Sequence, residues 1–237
     1  MIDKRALIKD ISIKDLINNK RFIRQQKKKN PQYFYPNGLL VFTGMQGQGK
    51  TLSAVQYVRR LLLLYPCAKL VTNVDILDFP VDNSRIYRFE DAQDLTRYTN
   101  GDLGVIYLID EIQLYFGSID RKSVDVNVLT QISQQRKQCK HIVATSQVFC
   151  RLAKPLREQF NVVVQCSCYF GFLQVNKYMR NEDMLIDKDS AHMSGKAFQR
   201  DFFIHSPSMY LCYDTSAIIN SDTKLSDRKN LEIYDTD

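Results

Sequence analysis

The sequence predicts an α/β fold with a central, mostly parallel sheet, and three observations lead to this prediction. Apolar runs of strand length occur at 39–42, 105–109 and 141–145, and polar residues follow each run. A glycine-rich loop and a run with helical spacing follow the first strand. The 237 residues suffice for one large α/β core, and 44% hydrophobic residues is ordinary for a globular protein.

The first strand, 39–42, leads into a loop with the pattern G-x-x-x-x-G-K-S/T, and a predicted helix from Leu52 to Leu62 follows. Glycines allow successive backbone N–H groups to point at phosphate oxygens, and the helix start adds its positive dipole end. We predict that Lys50 reaches the β- and γ-phosphates of ATP and that Thr51 offers its hydroxyl to Mg²⁺. The alternative is a chance glycine-rich turn. The predicted nucleotide-binding residues are Gly44, Met45, Gln46, Gly47, Gln48, Gly49, Lys50, Thr51 and Leu52.

The second strand, 105–109, ends in two acids, Asp110 and Glu111. In a parallel sheet they would lie beside the phosphate loop. We predict that Asp110 holds Mg²⁺, through water, and that Glu111 orients and deprotonates the water that attacks the γ-phosphate. A nucleotide switch needs only the first acid, so the second favours steady ATP hydrolysis. The alternative is that Glu111 is a solvated residue at a strand end.

The third strand, 141–145, is followed by Gln147. We expect this strand between the phosphate-loop strand and the acidic strand, with Gln147 directed at the γ-phosphate or its water as a sensor. An ordinary polar strand end is the alternative. Asn73, which closes a run at 69–73, either bonds Glu111 until substrate binds or is a turn residue.

A helix predicted over 126–137 brings Arg136 close to the start of the third strand. In ring ATPases this place often lies at a subunit boundary, so Arg136 could enter a neighbour's site and stabilise the transferred phosphoryl group. A helix C-terminal charge favoured by the dipole and a DNA contact are the alternatives. Arg157 is the second candidate for this trans finger.

Positive charge is concentrated at the amino terminus. Residues 1–30 contain ten basic and three acidic side chains, which account for the whole net charge of +7. This favours a polyanion partner, although a solvated face of a packing helix or a membrane surface remain alternatives. The predicted DNA contacts are Lys27, Lys28 and Lys29, together with Arg121 and Lys122 in a loop at 117–125.

Composition and patterning favour a soluble protein of the cytoplasm, or of the host cytoplasm if the chain is viral. We find no apolar stretch long enough to span a membrane and no signal-peptide pattern. The six cysteines lack paired C-x-x-C spacing, which favours reduced thiols over a zinc site.

Three segments are predicted: a basic helical arm at 1–36, an ATPase core at 37–165, and a small β-containing extension with a polar tail at 166–237.

The order of the motifs along the chain resembles that in the HerA–FtsK group of P-loop ATPases. These motifs are the phosphate loop, the run from Leu108 to Phe116, Arg136 and the strand end from Ala144 to Gln147. Within that group the chain is similar to zonula-occludens-toxin-like phage proteins and to genome-packaging ATPases of small tailed phages. The resemblance covers about 37–165 and implies a RecA-like (ASCE) core.

The resemblance also implies a ring of five or six subunits that threads double-stranded DNA. Lys50 and Thr51 would bind phosphate and Mg²⁺, Asp110 would hold the metal and Glu111 would be the base, while Arg136 would be the trans finger and Gln147 the sensor. We therefore expect a ring motor that hydrolyses ATP and packages a viral genome, with a portal or capsid component as partner. A nucleotide-gated assembly factor without translocation and a single-strand replication or conjugation helicase are the alternatives. Filamentous-phage relatives usually carry a membrane anchor, and the apparent lack of one disfavours membrane-coupled extrusion.

Overall fold

A computed structural model describes residues 13–36, 38–77, 79, 82–116, 132, 138–186 and 193–213. Within these ranges one sheet contains eight strands, which lie in the spatial order β3-β2-β4-β5-β1-β6-β7-β8. Neighbours from β3 to β6 pair in parallel, whereas β7 and β8 are antiparallel. The predicted α/β fold with a mostly parallel central sheet is confirmed. The strands are β1 (Gly38–Thr43), β2 (Lys69–Thr72), β3 (Ile86–Arg88), β4 (Val105–Ile109), β5 (Lys140–Ser146), β6 (Phe160–Tyr169), β7 (Leu173–Ile186) and β8 (Met193–Ile204).

In the part of the chain that the structure describes, two long helices and several single turns accompany the sheet. Of the helix predicted over 126–137, the described part is Ile132 alone. Short 3₁₀ turns occupy Asn83–Arg85, Gly101–Leu103 and Phe149–Arg151. The α-helices are α1 (Ile13–Lys29), α2 (Lys50–Leu64), α3 (Asp94–Arg97), α4 (Gln113–Phe116), α5 (Lys154–Arg157) and α6 (Pro207–Tyr210).

Strand β5 lies between β1 and β4, as the sequence predicts. The register pairs Thr43 at the end of β1 with Ser146 at the end of β5, and Ile109 at the end of β4 with Ala144. The carboxyl ends of the three strands therefore meet at one edge. The residues that follow these strands, among them Asp110, are brought together there.

Apolar side chains cover both faces of the sheet. Helix α2 packs on one face because its apolar residues recur at helical spacing, and Val55, Val58 and Leu62 are fully buried. The other face buries Val41, Tyr107 and further residues of the central strands. The strands β1, β4 and β5 are accordingly buried at every position instead of alternating between buried and exposed residues.

The chain before β1 is fastened to the core at Phe34. Its ring is 1% exposed, lies 5.0 Å from the ring of Tyr65, and its backbone N–H donates to the carbonyl of Asp102 at 2.8 Å. Gly104 has a φ of 77°, and a Cβ there would collide with the Phe34 ring. Glycine at 104 therefore meets both a backbone and a packing requirement.

The two terminal segments differ in how they contact the core. All side chains described in α1 are exposed. After β8 the chain returns to the sheet, where the N–H of Leu77 donates to Cys212 and Ile76 forms a β-bridge with Tyr213. The predicted boundary after 165 lies inside β6, and the division into an arm, a core and an extension remains a prediction. None of the helices in the described ranges is long and apolar enough to cross a membrane.

Candidate active site

The loop between β1 and α2 has the backbone of an anion-binding turn. Gly44, Gly47 and Gly49 all have positive φ, and Met45 is 77% exposed at its tip. Gly49 is the residue before α2 and has a φ of 71°, and a Cβ there would collide with the side chain of Gln174. The loop therefore stays open on its outer side and closely packed on its inner side.

Helix α2 directs its amino terminus at this loop. Among the described residues no side chain caps the helix, so backbone N–H groups of its first turn are available to an anion. Lys50 is 7% exposed, and its Nζ donates to the carbonyl oxygen of Met45 at 3.2 Å across the loop. Fixed backbone donors and one buried ammonium group suit the phosphates of a nucleotide.

Asp110 lies directly beside the start of α2. Its Oδ1 accepts hydrogen bonds from the hydroxyl of Thr51 at 2.9 Å and from that of Thr145 at 2.5 Å. The Asn73 side chain holds the Asp110 backbone through two hydrogen bonds of 2.8 Å. Burial raises the pKa of the Asp110 carboxyl above its ordinary value, the two hydroxyl hydrogen bonds lower that pKa, and the neighbouring Glu111 raises it.

Glu111 adopts a left-handed backbone with a φ of 51°. In a continuing strand, the side chains of Asp110 and Glu111 would point to opposite faces of the sheet. The turn at Glu111 instead allows both side chains to lie at the same edge of the sheet. The Glu111 N–H donates to the Thr145 hydroxyl at 2.9 Å. Its carboxylate accepts from the side-chain amides of Gln147, at 3.1 Å, and Gln113.

Thr145 is a site residue that sequence reasoning did not single out. Its hydroxyl joins the Asp110 carboxylate to the Glu111 backbone, so one β5 side chain sets the relative position of both acids. The sequence gives no signal for this role, because a threonine in a β-branched run is typical of any strand. Asn73 lies in the bend after β2, as one of the two predicted alternatives has it, and its amide donates to the backbone of Asp110 and to the hydroxyl of Tyr115, the latter at 3.2 Å.

Strand β7 supports the phosphate loop from behind. The Gln174 amide donates to the Gln48 carbonyl and to Asn176 Oδ1, both at 3.0 Å, and Ser53 donates to the same Asn176 oxygen. The Gln48 side chain accepts from the N–H of Cys168 at 2.8 Å. Gln174 and Asn176 are almost fully buried, and both come from the C-terminal segment that the sequence leaves without a role.

The remaining predicted site residues are those of the trans finger and of the DNA contacts. Arg136, Arg121 and Lys122 lie outside the described residues, as does the side chain of Lys27. Lys28 and Lys29 are exposed on α1. Arg157, the second finger candidate, donates to the Cys150 carbonyl at 2.8 Å within its own subunit.

Comparison with known proteins relates the chain to solved structures, whereas no family model and no curated protein matches it. The N-terminal domain of zonular occludens toxin from Neisseria meningitidis is 18% identical, with a TM-score of 0.50 over 75% of this chain and 98% of that domain. The genome-packaging NTPase B204 from Sulfolobus turreted icosahedral virus 2, in complex with AMPPCP, is 10% identical over 69% and 99%, with a TM-score of 0.44. The RadB recombinase is 16% identical over 72% and 88%, with a TM-score of 0.45. At 18% identity the similarity to the zonular occludens toxin domain is one of fold, and together with the strand order it shows an α/β fold with a mostly parallel central sheet.

Proposed function

We propose that the chain hydrolyses ATP in a ring that moves double-stranded DNA. The observation that carries the ATPase part is the pair of separately held acids: Asp110 contacts Thr51 at the phosphate loop, while Glu111 is oriented by the amides of Gln113 and Gln147. If ATP binds to the loop, the oxygens of its γ-phosphate would lie between Lys50 and the two acids. A single acid would suffice for binding, and the second provides a base.

The residues present fit a magnesium ion. Thr51 Oγ1 and Asp110 Oδ1 lie 2.9 Å apart, and hard oxygen donors of this kind suit Mg²⁺, which retains several waters. When bound, the ion would neutralise charge on the β- and γ-phosphates. Glu111 would accept the proton of the attacking water, and Lys50 would stabilise the phosphoryl oxygens.

Four further features belong to the same proposal. Arg136 acts in trans as the finger at a pentameric or hexameric ring interface, Gln147 acts as the sensor, and exposed basic residues of α1 and the loop with Arg121 and Lys122 contact DNA. The setting is the packaging of a viral genome through a portal or capsid partner in the host cytoplasm. The net charge confined to 1–30 and the exposure of the described side chains of α1 support the DNA contacts.

The motor hypothesis is tested by ATP hydrolysis and by DNA movement in the same preparation. We expect double-stranded DNA to stimulate Mg²⁺-dependent hydrolysis, and ATP to drive displacement of a third strand from a triplex. Hydrolysis without displacement would favour an assembly factor, and unwinding that requires single strands would favour a helicase.

Thr145→Val should lower kcat for ATP hydrolysis about tenfold while leaving the fold intact, because valine keeps the shape but removes the hydroxyl that joins both acids. Hydrogen bonds to charged groups contribute about 1.5–3 kcal/mol. Steady-state kinetics against Mg²⁺ and ATP would measure this. Thr96→Val is the matched control, since that exposed hydroxyl donates only to the Gln93 carbonyl. Equal activity of the two variants would contradict the role of Thr145.

Neutralising four exposed cations of α1 should weaken DNA binding. The variant changes Lys20, Arg21, Arg24 and Lys28 to Gln and retains the helix, so that charge alone is altered. We expect lower affinity and a shallower fall of log K with log salt, by about 0.9 per lost phosphate contact. Basal ATP hydrolysis should be unchanged, because the nucleotide-site motifs follow Gly38.

A control variant removes the same number of charges from β7, β8 and α5. It replaces four exposed side chains elsewhere with Gln, namely Lys154, Arg180, Lys196 and Arg200. Equal loss of affinity in both variants would indicate a general charge effect and contradict a DNA role of α1.

A further inference from the structure

The proposed ATP site, on which this inference rests, leaves the place of the nucleobase open. If the acids at the end of β4 face the γ-phosphate as proposed, that phosphate lies on the side of β4 and β5. A nucleotide bound in the loop must then direct its nucleoside away from Asp110. Beyond β1 in that direction lie β6 and the start of β7, which the loop already contacts through Gln48.

Four aromatic side chains lie where β6 to β8 extend past the loop. We call them the aromatic rim, and they are Phe170, Phe172, His205 and Tyr210. The Phe170 and Phe172 rings are stacked at 6.1 Å with an interplanar angle of 30°, and His205 and Tyr210 meet edge-on at 5.7 Å. The N–H of His205 donates to the Phe172 carbonyl at 2.8 Å, which continues the β7–β8 ladder by one pair. Phe172 and His205 are thus cross-strand neighbours, and the two ring pairs form one rim.

The rim is joined to the phosphate loop by two successive hydrogen bonds. His205 Nε2 lies 3.0 Å from Gln174 Oε1, and the Gln174 amide donates to the Gln48 carbonyl at 3.0 Å. Phe172 precedes Gln174 by two residues and follows the same alternation, about 6.6 Å further along the strand direction. That displacement leads from Gln174 towards the hairpin tip at Phe170 and Gly171.

The hairpin tip has features that packing among the described residues does not explain. Phe170 is 84% exposed and Phe172 50% exposed. Phe170 has a φ of 56° and Gly171 a φ of 76°, the combination of a type I′ turn, which favours Asn-Gly over a bulky first residue. A strained, exposed aromatic residue at this place points to a ligand-binding role.

We propose that the aromatic rim binds the nucleobase of ATP by stacking, with Phe172 as the main contact and Tyr210 closing the opposite side. Stacking depends on the size of the π-face, so the site takes purine nucleoside triphosphates in preference to pyrimidine ones and separates ATP from GTP only weakly. The hydrogen-bonded link through Gln174 fixes the distance between the base and the phosphates.

The test compares AMPPCP, a non-hydrolysable ATP analogue, with inorganic tripolyphosphate, which keeps the phosphates but has no base. Both are titrated with Mg²⁺ into the full chain by calorimetry. Phe172→Ala should weaken the affinity for AMPPCP about tenfold and leave the affinity for tripolyphosphate unchanged. Phe172→Trp should restore the affinity for AMPPCP. Phe202→Ala is the matched control: Phe202 is 59% exposed in β8 and pairs with Val175, so it belongs to the opposite face.

Each contrary outcome has a separate meaning. Equal AMPPCP affinity in wild type and Phe172→Ala overturns the base site, and so does an equal loss for both ligands, which would indicate a distorted loop. If Phe172→Ala loses affinity for single-stranded DNA while its AMPPCP affinity is unchanged, the base site is overturned as well. The aromatic rim would then bind DNA bases. If wild type binds neither ligand, the proposed ATPase function fails and the base site fails with it.

Discussion

Glu111→Gln should bind ATP and Mg²⁺ normally but hydrolyse ATP at least ~100-fold more slowly, the scale expected for losing a positioned base. Glutamine keeps the size of the side chain and can still accept a hydrogen bond from Gln113 or Gln147, so the geometry of the edge is preserved. What disappears is the group that takes a proton from water. The variant should therefore accumulate in the ATP-bound state.

Single-turnover hydrolysis and equilibrium nucleotide binding, measured on the same preparation, separate the chemical step from binding. Glu90→Gln serves as the control because Glu90 is an exposed acid after β3, outside the site. Near-normal turnover of Glu111→Gln would show that another group activates the water. It would also remove the principal support for steady hydrolysis over a nucleotide switch.

Arg136→Ala should reduce ATP hydrolysis about 1000-fold with little change in nucleotide affinity, since arginine fingers act mainly on the charge that develops in the transition state. If Arg136 acts in trans, mixing this variant with Glu111→Gln subunits should restore part of the activity. A Glu111→Gln subunit would supply an intact Arg136 to the intact Glu111 of its neighbour.

The mixing experiment requires mixed assemblies, which two different affinity tags can verify. Arg157→Ala is the informative comparison. Arg157 donates to Cys150 within its own subunit, so its loss should lower the free energy of unfolding and should not be rescued by mixing. Rescue of Arg157→Ala but not of Arg136→Ala would reverse the assignment of the finger.

The local parts of the fold and site are those that the sequence predicts well. The β1–loop–α2 unit, the acids after β4 and the insertion of β5 between β1 and β4 rest on short segments with clear apolar patterns, and the strand order confirms the topology. Such units are predictable because their backbone requirements, such as a left-handed Gly49, lie within the segment itself.

The parts that the sequence does not predict depend on contacts between distant residues. Thr145 reaches Asp110 across 35 positions, Asn73 reaches it across 37, and Gln174 reaches Gln48 across 126. No periodicity identifies such partners, because each residue type is also ordinary in its own strand or turn. Strand β6, which contains residue 165, pairs with β1 from Phe160 to Gln165 and with β7 from Val162 to Tyr169, so its two edges join the segments on both sides of the predicted boundary.

The support that β7 gives to the phosphate loop has a consequence for synthesis and folding. A ribosome releases the loop and α2 long before residue 174, so the nascent chain contains the G-x-x-x-x-G-K-T segment without the side chain that holds it. Long-range pairings form late because closing the intervening chain costs entropy. The polypeptide would therefore emerge unable to retain nucleotide and would become competent only when β7 and β8 have joined the sheet. Truncation before β7 should abolish ligand retention even though every residue of the motif is present.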